Sequence, residues 1–413
     1  MTRPSLALTA YLAASRGIPL VAPTLLARRL ARGKELPDRW REKLGEASLP
    51  RPSGPVVWLH AVGLGEVLAL RGLIGAMAEQ SETEFLVTST TRGSAEVLAP
   101  NLPPRCRHQF LPLDAPAYLG RFLDHWRPSL SIWAEQDLWP GAVHAADARG
   151  IPLALVNARM NADAYARRRR WASLYADLLS RFRLITAQDG GTADHLQALG
   201  AKGVRVSGSL KAAAPPLAAD PRALAAAREA LIGQRPVLLA SSHPEDEFVT
   251  LAAIRALDAR PLLILAPRDP ARGAEIAARV AEHGLTSTRR SLGEGPSGDV
   301  WIADTLGEMG LWYRLCPITL VGGTFGPTEG HNPWEPAALG SAILHGPRTA
   351  NFAGDFRALH QVSAARQVMP DSLAPALTED HSAMAARAKS TSDAARHSLR
   401  PLARELLALG GLA

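Results

Sequence analysis

The sequence has few of the residues from which disulfide, metal and base-stacking sites are built. Its 413 residues include two cysteines, Cys106 and Cys316, and neither stands in a CxxC pair or near histidines at metal-ligand spacing. Such sparse cysteine fits a reducing compartment and disfavours structural zinc. Aromatic residues make up 5% of the chain and do not interleave with basic stretches, so nucleic acid is not an expected partner despite a formal charge of +7.

Phosphate-binding and metal-binding signatures are also missing. The chain contains no G-x-G-x-x-G fingerprint, no phosphate-loop motif and no Asp-x-Asp pair. A phosphate ester would then be held by arginine, lysine and helix N-termini. We therefore expect neither a metal ion nor another cofactor.

Residues 1–34 differ in character from the rest of the chain. Residues 6–26 are largely apolar but contain Arg16 and two prolines, and a basic cluster follows at 28–34. A continuous spanning helix would have to bury Arg16, so the pattern favours an interfacial anchor or a short span, held on an anionic cytoplasmic leaflet by the basic cluster. A cleaved signal peptide and an ordinary buried helix pair are the alternatives.

Past residue 34, short apolar runs alternate with amphipathic segments long enough to form helices. This alternation is typical of parallel sheets built from βαβ units. The runs are 56–59, 85–88, 130–133, 153–156, 184–187 and 204–207 in the first half, and 237–240, 262–266, 300–303, 318–321 and 342–344 in the second. We predict an α/β fold of two doubly wound, Rossmann-like domains facing a central cleft.

The best boundary between the two domains is 212–220, a stretch rich in Ala and Pro that lacks periodicity. The predicted organisation is a membrane-anchoring segment (1–34), an N-terminal domain (35–211), this linker and a C-terminal domain (221–413). Because ligands of such sheets bind at the carboxyl ends of the strands, functional side chains should follow the apolar runs.

Acidic residues follow two runs of the first half. The run 56–59 leads through a glycine-containing turn to Glu66 at the start of a helix, where a carboxylate can stay ionised and still accept a hydroxyl proton. The simpler interpretation is a helix-start acid that only complements the helix dipole. The run 130–133 ends at Glu135, which would orient Glu66 or a substrate, or simply begin a helix.

Two cations are candidates for holding a phosphate ester. Arg268 follows the run 262–266 and would neutralise a phosphate oxygen, and Lys211 lies just before the linker. Residues 304–309 follow the run 300–303 and offer backbone groups with a short apolar ledge. This ledge suits one edge and one face of a nucleotide base.

The stretch after the run 318–321 is the most informative in the chain. The predicted strand leads through Gly322 and Gly323 onto a helix predicted over 333–339, with proline at its first turn. Unpaired N–H groups and the positive end of the helix dipole would hold a phosphate there, and Glu335 would accept hydrogen bonds from ribose hydroxyls. A tight turn with an exposed polar loop is the simpler alternative.

Taken in order, these motifs resemble the 3-deoxy-D-manno-octulosonic acid (Kdo) transferases, which attach Kdo to lipid A in Gram-negative bacteria. The resemblance is nearly full length. It comprises 39–45, 60–66, 135–140, 157–160, 187–188, 208–211, 241–243, 267–268, 304–309, 322–323, 330–336, 346–347 and 351–352. So many motifs in one order make a chance resemblance improbable.

The resemblance implies a GT-B fold and an inverting transfer from CMP-Kdo to a lipid A precursor (lipid IV-A) on the cytoplasmic face of the inner membrane, without metal. Glu66 resembles the family's general base, and Glu135 and Lys211 resemble its transition-state stabilisers. The residues that resemble its CMP contacts are Pro267, Arg268, Leu306, Gly307, Glu308, Asn332, Pro333, Trp334 and Glu335. An anionic membrane surface is a further implied partner, and the oligomeric state is left open.

Four positions depart from the family's usual residues. Gly63 and Asn161 stand where serine is usual, Asp269 stands where histidine is usual, and Glu329 stands where glycine is usual. The two acids would weaken binding of an anionic donor if they point toward it. The alternatives are therefore a transferase with another acceptor or another CMP-activated acidic sugar, and a catalytically inactive CMP-sugar-binding paralogue. A nucleotide-dependent epimerase of the same fold would lack the anchor.

Overall fold

The computed structural model describes residues 3–62, 64–98, 102–135 and 137–413, with the side chains of 64–68 and 97–98 excepted. The chain divides into two compact units. Unit 1 comprises Met1–Ala214 and Arg396–Ala413, and unit 2 comprises Pro215–Ala395. Each unit contains a seven-stranded sheet.

Unit 1 has the strand order β3-β2-β1-β4-β5-β6-β7, and neighbouring strands are parallel. Its strands are β1 Val56–His60, β2 Glu84–Ser89, β3 Cys106–Phe110, β4 Leu130–Ala134, β5 Leu153–Ala158, β6 Leu184–Ala187 and β7 Arg205–Val206. Its helices are α1 Leu6–Ser15, α2 Ile18–Ala31, α3 Leu64–Ala78, α4 Arg92–Leu98, α5 Pro116–Trp126, α6 Pro140–Ala148, α7 Ala162–Arg169, α8 Ala172–Ser180 and α9 Gly190–Ala198, with 3₁₀ helices at Trp40–Leu44 and Leu210–Ala213.

Unit 2 has the strand order β10-β11-β9-β8-β12-β13-β14, again with parallel neighbours. Its strands are β8 Val237–Ser242, β9 Leu263–Pro267, β10 Ser287–Arg289, β11 Val300–Ile302, β12 Ile318–Val321, β13 Ala342–His345 and β14 Ala365–Gln367. Its helices are α10 Pro221–Ala230, α11 Pro244–Arg255, α12 Gly273–Glu282, α13 Met309–Leu315, α14 Trp334–Leu339, α15 Ala353–Gln361 and α16 Pro370–Ala376, with 3₁₀ helices at Pro270–Arg272, Arg290–Leu292 and Ala350–Phe352. The last helix, α17 Ser382–Leu409, begins in unit 2, and its residues from 396 onward belong to unit 1.

The central strands of unit 1 are buried on both faces. Strands β1, β4 and β5 are buried along their whole length, as expected for parallel strands covered by helices on both sides. Trp58 of β1 packs edge-on against Trp133 of β4, with 5.5 Å between ring centroids, and against Phe122 of α5 at 5.1 Å. Because β1 and β4 pair in parallel, their carboxyl ends lie at one edge of the sheet.

Two apolar clusters cover the sheet of unit 2. Leu239 and Leu265 belong to one cluster, and Leu238 and Ile264 belong to the other. Because successive residues of a strand point to opposite faces, the two clusters lie on opposite sides of the sheet. The α/β prediction with two doubly wound units is therefore confirmed.

All eleven predicted strands are present, and the structure adds β3, β10 and β14, which the sequence did not predict. The three additional strands occupy edges of the two sheets. Their sequences, CRHQF, STR and ARQ, are polar, which suits a strand with one neighbour and a partly exposed face. Such strands do not appear as apolar runs in the sequence.

The boundary between the units lies between Ala214 and Pro215, inside the predicted linker. Ala212 and Ala213 are nevertheless buried in unit 1, and a Cβ at Gly72 of α3 would lie 2.7 Å from the Ala213 carbonyl oxygen. The predicted C-terminal domain also needs correction, because the final residues, Arg396–Ala413, cluster with unit 1. Apolar residues of α17 such as Leu406 are buried there, although no break in the sequence pattern precedes them.

Helix α1 is an integral part of unit 1. Leu8 is fully buried in the core, and the Tyr11 hydroxyl donates to Asp114 Oδ2 at 2.7 Å. The main-chain N–H of Ser5 donates to the Asp177 carboxylate. A detached anchor would leave these groups unpaired, so the prediction of a separate segment over 1–34 is corrected for α1.

Helix α2 carries three of the exposed large apolar residues of the N-terminal region, and Leu6, at the start of α1, is a fourth, 90% exposed. Leu20, Val21 and Leu25 are 85%, 55% and 52% exposed. Over the described part of the chain, no single helix has the length and apolar content to cross a membrane. Helices α1 and α2 meet those criteria only when taken together, as a pair bent by 55°. The hypothesis that the N-terminal region attaches to a membrane therefore rests on the exposed side chains of α2.

Candidate active site

In unit 1, the predicted acid Glu135 and the predicted cation Lys211 lie together. Glu135 follows β4 and is 5% exposed, and Lys211 lies in the 3₁₀ helix Leu210–Ala213 that follows β7. Lys211 Nζ is 3.6 Å from Glu135 Oε1. Removing two opposite charges from water is costly unless they are paired, so each of these buried groups compensates the charge of the other.

Asn157 is a third member of this cluster, and sequence reasoning gave it no role. It lies in β5, is 1% exposed, and its Nδ2 is 3.5 Å from Glu135 Oε1. Its Oδ1 accepts a hydrogen bond of 2.9 Å from the main-chain N–H of Leu210. The sequence signal was a polar residue at the end of a buried run, and the pairing of β4 with β5 brings it to Glu135.

The first turn of α3 contains Glu66, and the Glu66 side chain lies outside the described part of the structure. His60, at the end of β1, is buried beside Trp133 with 4.8 Å between ring centroids. Its Nδ1 lies 2.9 Å from Thr88 Oγ1, and burial lowers the pKa of His60 to about 3. The imidazole is therefore neutral at physiological pH and serves to pack β1.

In unit 2, a glycine turn follows β12. A Cβ at Gly322 would lie 2.5 Å from the Ser241 carbonyl oxygen, so only glycine permits β8 to approach this closely. Gly323 has a φ of +70°, which also favours glycine. The strand-to-glycine-turn geometry predicted after 318–321 is thus present.

The main-chain N–H groups of this turn donate hydrogen bonds to the buried carboxylate of Asp246. Asp246 accepts hydrogen bonds from the main-chain N–H groups of Gly323 at 2.6 Å, Thr324 at 3.1 Å and Phe325 at 3.1 Å, and from that of His243 at 3.0 Å. Burial raises the pKa of Asp246, although these hydrogen bonds oppose the rise. The turn amides are therefore not available to a phosphate, contrary to the sequence argument.

Arg268 follows β9 and is exposed, and its main-chain N–H donates to the Ser242 carbonyl at 3.1 Å. Burial, together with the charges of His243 and Arg268, lowers the pKa of His331 to about 4. The His331 and His243 rings stack, with 2.9 Å between their Nε2 atoms. The His331 imidazole is therefore neutral at physiological pH.

The predicted helix start is present, with α14 beginning at Trp334 and Pro333 at its N-cap. Asn332 Oδ1 accepts from the Trp334 main-chain N–H at 3.1 Å, and Asn332 Nδ2 is 3.4 Å from Glu335 Oε1. The Trp334 indole is buried and donates to Asp355 at 2.8 Å, so the indole is not available to a ligand. Burial raises the pKa of Glu335, against the effects of Asn332, Tyr313 and Arg268.

Residues 306–308 lie after β11, which pairs with β9, so they share a sheet edge with Pro267 and Arg268. Leu306 is 84% exposed and forms the predicted apolar ledge, and Gly307 has a φ of +84°. Glu308 pairs with Arg290 at 2.9 Å. Burial raises the pKa of Glu308, but the Arg290 and Thr305 hydrogen bonds outweigh it and leave that pKa below its ordinary value.

Three of the four residues that depart from the family's usual ones form contacts with neighbouring groups. Glu329, at a φ of +61°, forms an ion pair with Arg348 and accepts from the Ala350 N–H at 3.3 Å. Asp269 accepts from the Ala271 N–H at 3.0 Å. Asn161 caps α7 by accepting from the Ala164 N–H at 2.9 Å, as serine would. Gly63 lies outside the described residues.

Within the described ranges, no cluster of three or more His, Cys, Asp or Glu side chains is arranged to hold a metal ion. The charged groups at the strand ends are instead arginine, lysine and carboxylates paired with them. Such a set can stabilise charge on a sugar and on a phosphate ester directly.

Comparison with known sequences identifies relatives along most of the chain. The profile of a family described as 3-deoxy-D-manno-octulosonic-acid transferase (kdotransferase) matches residues 38–214. A probable mitochondrial 3-deoxy-D-manno-octulosonic acid transferase of Arabidopsis thaliana is 34% identical over 388 residues, covering 89% of this chain and 85% of that one. The 3-deoxy-D-manno-octulosonic acid transferase of Bordetella pertussis is 33% identical, with 83% of each chain covered.

Similar solved structures include a glycosyltransferase, MurG and an epimerase. A glycosyltransferase from Rickettsia africae ESF-5 has a TM-score of 0.53 at 13% identity and covers 87% of this chain and 98% of that one. Acinetobacter baumannii MurG has a TM-score of 0.51 at 13% identity, with 86% and 99% covered. UDP-GlcNAc 2-epimerase from Neisseria meningitidis has a TM-score of 0.55 at 10% identity, with 86% and 99% covered. These structures show the fold alone, which is GT-B. Because the sequence relatives are over 30% identical across most of both chains, this chain is a glycosyltransferase that belongs to the 3-deoxy-D-manno-octulosonic acid transferase family.

Proposed function

We propose that this protein transfers Kdo from CMP-Kdo to the lipid A precursor lipid IV-A, with inversion at the anomeric carbon. The observation that carries the proposal is the largely buried pair of Glu135 and Lys211 at the strand ends of unit 1, 3.6 Å apart, in a chain of the Kdo transferase family. A buried ion pair contributes little to stability by itself, so its presence at the ligand-binding edge of the sheet supports a role in transfer.

We assign donor binding to unit 2. The exposed Arg268 guanidinium would contact the single phosphate of CMP-Kdo, with the first turn of α14 as a second contact. Leu306 would cover one face of the cytosine, and the ionised Glu308 would accept a hydrogen bond from its amino group. Glu335 would contact ribose hydroxyls. Pro267, Gly307, Asn332, Pro333 and Trp334 would contribute main-chain contacts or position these groups.

We assign acceptor activation to unit 1. Glu66 would take the proton of the acceptor hydroxyl as its oxygen attacks the anomeric carbon. The bond from that carbon to the phosphate oxygen breaks, and CMP leaves with the bonding electrons. Lys211 and Glu135 would stabilise the charges that develop in the transition state. These residues balance the charges of the reaction without requiring a metal ion.

A lipid acceptor requires the protein to work at a membrane surface. The exposed Leu20, Val21 and Leu25 of α2, followed by the basic cluster at 28–34, suit the interface of the anionic cytoplasmic leaflet of the inner membrane. The integration of α1 into the unit 1 core favours attachment to one leaflet over spanning. The protein would then meet its acceptor where the lipid already resides.

The local partner of Glu329 supports Kdo transfer over the alternatives. Arg348 neutralises Glu329, so this carboxylate need not oppose the donor phosphate, whereas Asp269 accepts from a main-chain N–H and keeps its charge. The reasons for invoking another CMP-activated sugar, or an inactive paralogue, are correspondingly weaker.

The decisive experiment is an incubation of purified protein with CMP-Kdo and the tetraacylated lipid A precursor, followed by mass spectrometry of the lipid. We expect a mass gain of one or more Kdo units and release of CMP. CMP-Kdo bound without any gain would indicate a binding paralogue or another acceptor. Hydrolysis of the donor without lipid product would exclude the proposed acceptor.

A further inference from the structure

Asn157 links the two charged residues of the unit 1 site through one side-chain amide. Its Oδ1 accepts from the Leu210 N–H at 2.9 Å, and Leu210 immediately precedes Lys211. Its Nδ2 lies 3.5 Å from Glu135 Oε1, the same oxygen that lies 3.6 Å from Lys211 Nζ. We propose that Asn157 is a positioning residue that holds Glu135 and the Leu210–Lys211 main chain in one fixed geometry for sugar transfer. This inference rests on the proposed function.

The chemistry of the two neighbours determines which way the amide points. The Leu210 N–H is a donor and therefore must face the amide oxygen of Asn157. The amide nitrogen is left facing Glu135, whose carboxylate can only accept when ionised. Among side chains of this size, only a primary amide offers one acceptor and one donor in these two directions, because aspartate would place a second carboxylate against Glu135.

The backbone at Asn157 is bent to aim this side chain. The pairing of β5 with β6 shifts register between Leu155 and Ala158, and Asn157 has a φ of +55°. The Asn157 N–H donates to Thr186 Oγ1 at 3.2 Å, and its carbonyl accepts from Gln188 Nε2 at 3.2 Å. Irregular pairing of this kind commonly redirects a side chain beside an active site. Glu135 also has a positive φ, +63°, so both residues occupy backbone conformations that must be held by their surroundings.

The simpler explanation is that asparagine stands here only because it tolerates a positive φ. The two explanations predict different behaviour of Asn157→Gly. Glycine adopts this backbone without strain but removes both side-chain contacts. If only the backbone matters, Asn157→Gly is harmless. If the amide positions the charged residues, Asn157→Gly folds normally and transfers slowly.

The kinetic test compares three variants of the full-length protein with Arg127→Gly, a surface control whose native φ is also positive at +42°. We expect Asn157→Gly to lower kcat by about 10- to 100-fold, because loss of catalytic alignment acts on the reacting geometry. The KM for CMP-Kdo and the affinity for CMP should not change. Asn157→Ala should match Asn157→Gly in kcat but melt at a lower temperature. Asn157→Asp, which retains an acceptor for Leu210 but repels Glu135, should lose at least as much kcat.

A second test does not depend on turnover. The chain has only five lysines, at positions 34, 43, 202, 211 and 389, so ¹³Cε-lysine labelling gives a simple NMR spectrum in which Lys211→Arg assigns the Lys211 signal. Glu135→Gln defines the shift that accompanies loss of the carboxylate. We expect Asn157→Gly to move the Lys211 signal in the same direction, and Arg127→Gly to leave it in place.

The outcomes separate this inference from the proposed function. An unchanged Lys211 signal and unchanged kcat in Asn157→Gly would overturn the inference while Kdo transfer stands. A fall in activity that only matches the loss of folded protein would overturn it as well. If the wild-type protein transfers no Kdo, the proposed function fails, and the lysine spectrum still decides whether Asn157 holds Lys211 and Glu135 together.

Discussion

Units 1 and 2 both present charged residues at the carboxyl ends of parallel strands, but they satisfy those residues differently. In unit 1 the opposite charges of Glu135 and Lys211 are paired and largely buried, and Asn157 contacts Glu135 and the main-chain N–H of Leu210. In unit 2 the carboxylate of Asp246 is engaged by main-chain N–H groups, and the cation Arg268 is exposed.

This difference fits a transferase in which unit 1 stabilises the transition state and unit 2 binds the donor, and this is the division of labour that we propose. A buried, mutually oriented set of charges is suited to stabilising a transition state, because it needs no reorganisation during the reaction. An exposed guanidinium beside a rigid turn is suited to capturing and releasing a charged ligand. Changes in unit 1 should therefore alter turnover, and changes in unit 2 should alter affinity.

The largest effect is expected for Glu66→Gln in unit 1. Removing a general base while keeping its shape typically lowers the rate by about 10²–10⁴-fold. CMP affinity, measured by calorimetry, should not change, because donor binding is assigned to unit 2. The matched control is Glu245→Gln, which changes an acid in the first turn of α11 in unit 2.

If Glu66 only complements a helix dipole, Glu66→Gln and Glu245→Gln will behave alike. Both would then cost about 0.3–1 kcal/mol of stability and leave turnover nearly intact. Wild-type turnover in Glu66→Gln would remove Glu66 from the mechanism and with it the assignment of acceptor activation to unit 1.

The converse effect is expected for Arg268→Ala in unit 2. Loss of one charge-assisted contact to phosphate costs about 1.5–3 kcal/mol, so the dissociation constant of CMP-Kdo should rise by roughly 10- to 150-fold. Arg222→Ala, which removes another exposed arginine of unit 2, is the control. A large fall in kcat at saturating donor, with unchanged affinity, would contradict the proposed division of labour.

The same assay tests whether the donor site needs a metal ion. Transfer rates in excess EDTA should equal those without it, because arginine and main-chain groups bind the phosphate in place of a metal ion. If EDTA abolishes turnover and Mg²⁺ restores it, Glu308 or Glu335 would have to be reassigned as a metal ligand.

A pH effect of about 2 kcal/mol is expected from His108, which is buried in unit 1. Arg39 Nη2 lies 2.9 Å from His108 Nδ1, and burial together with the Arg39 charge lowers the pKa of His108 to about 3. The unfolded chain binds a proton near pH 6.5, but the folded protein does not until about pH 3. The stabilisation is therefore complete above pH 6.5 and is lost as pH falls, by about 1.4 kcal/mol per pH unit.

Denaturant unfolding at pH 7 and pH 5 should show this loss in the wild type and a smaller loss in His108→Gln. Gln can still accept from Arg39 but does not titrate. His397→Gln, at an exposed site, should retain the wild-type pH dependence. Equal pH dependence in all three proteins would mean that His108 is protonated in the folded state.

The parts of the fold that could be predicted are those in which apolar burial dominates. Every central strand appears as an apolar run, whereas β3, β10 and β14 lie at edges and carry polar residues. The assignment of Arg396–Ala413 to unit 1 depends on tertiary packing of an amphipathic helix, which has the same local pattern in either unit.

In the site, the apolar runs of the sequence predicted where the strands end, but they did not predict which groups each polar side chain contacts. The approach of Glu135 to Lys211 requires β4 and the segment after β7 to reach the same edge, and only the resemblance to a family linked them in advance. Asp246 was missed because an acid in the first turn of a helix is common. Its unusual feature, four main-chain donors gathered from two segments, exists only in three dimensions.

The smallest predicted effect concerns membrane attachment. Deletion of residues 1–34 would be a poor test of it, because the deletion also removes Leu8 from the unit 1 core. Leu20→Asp alters only the exposed face of α2, where Leu20 is 85% exposed. Withdrawing one leucine from the interface should cost about 1–2 kcal/mol, a roughly five- to thirtyfold weaker partition onto anionic vesicles. Ile232→Asp, at a site in unit 2 that is 78% exposed, is the matched control and should bind as wild type. Vesicle flotation at low and high salt measures both the apolar and the electrostatic contributions. Equal flotation of Leu20→Asp and the wild type would exclude α2 as the attachment site, whereas intact CMP affinity in Leu20→Asp would show that the donor-binding unit is undisturbed.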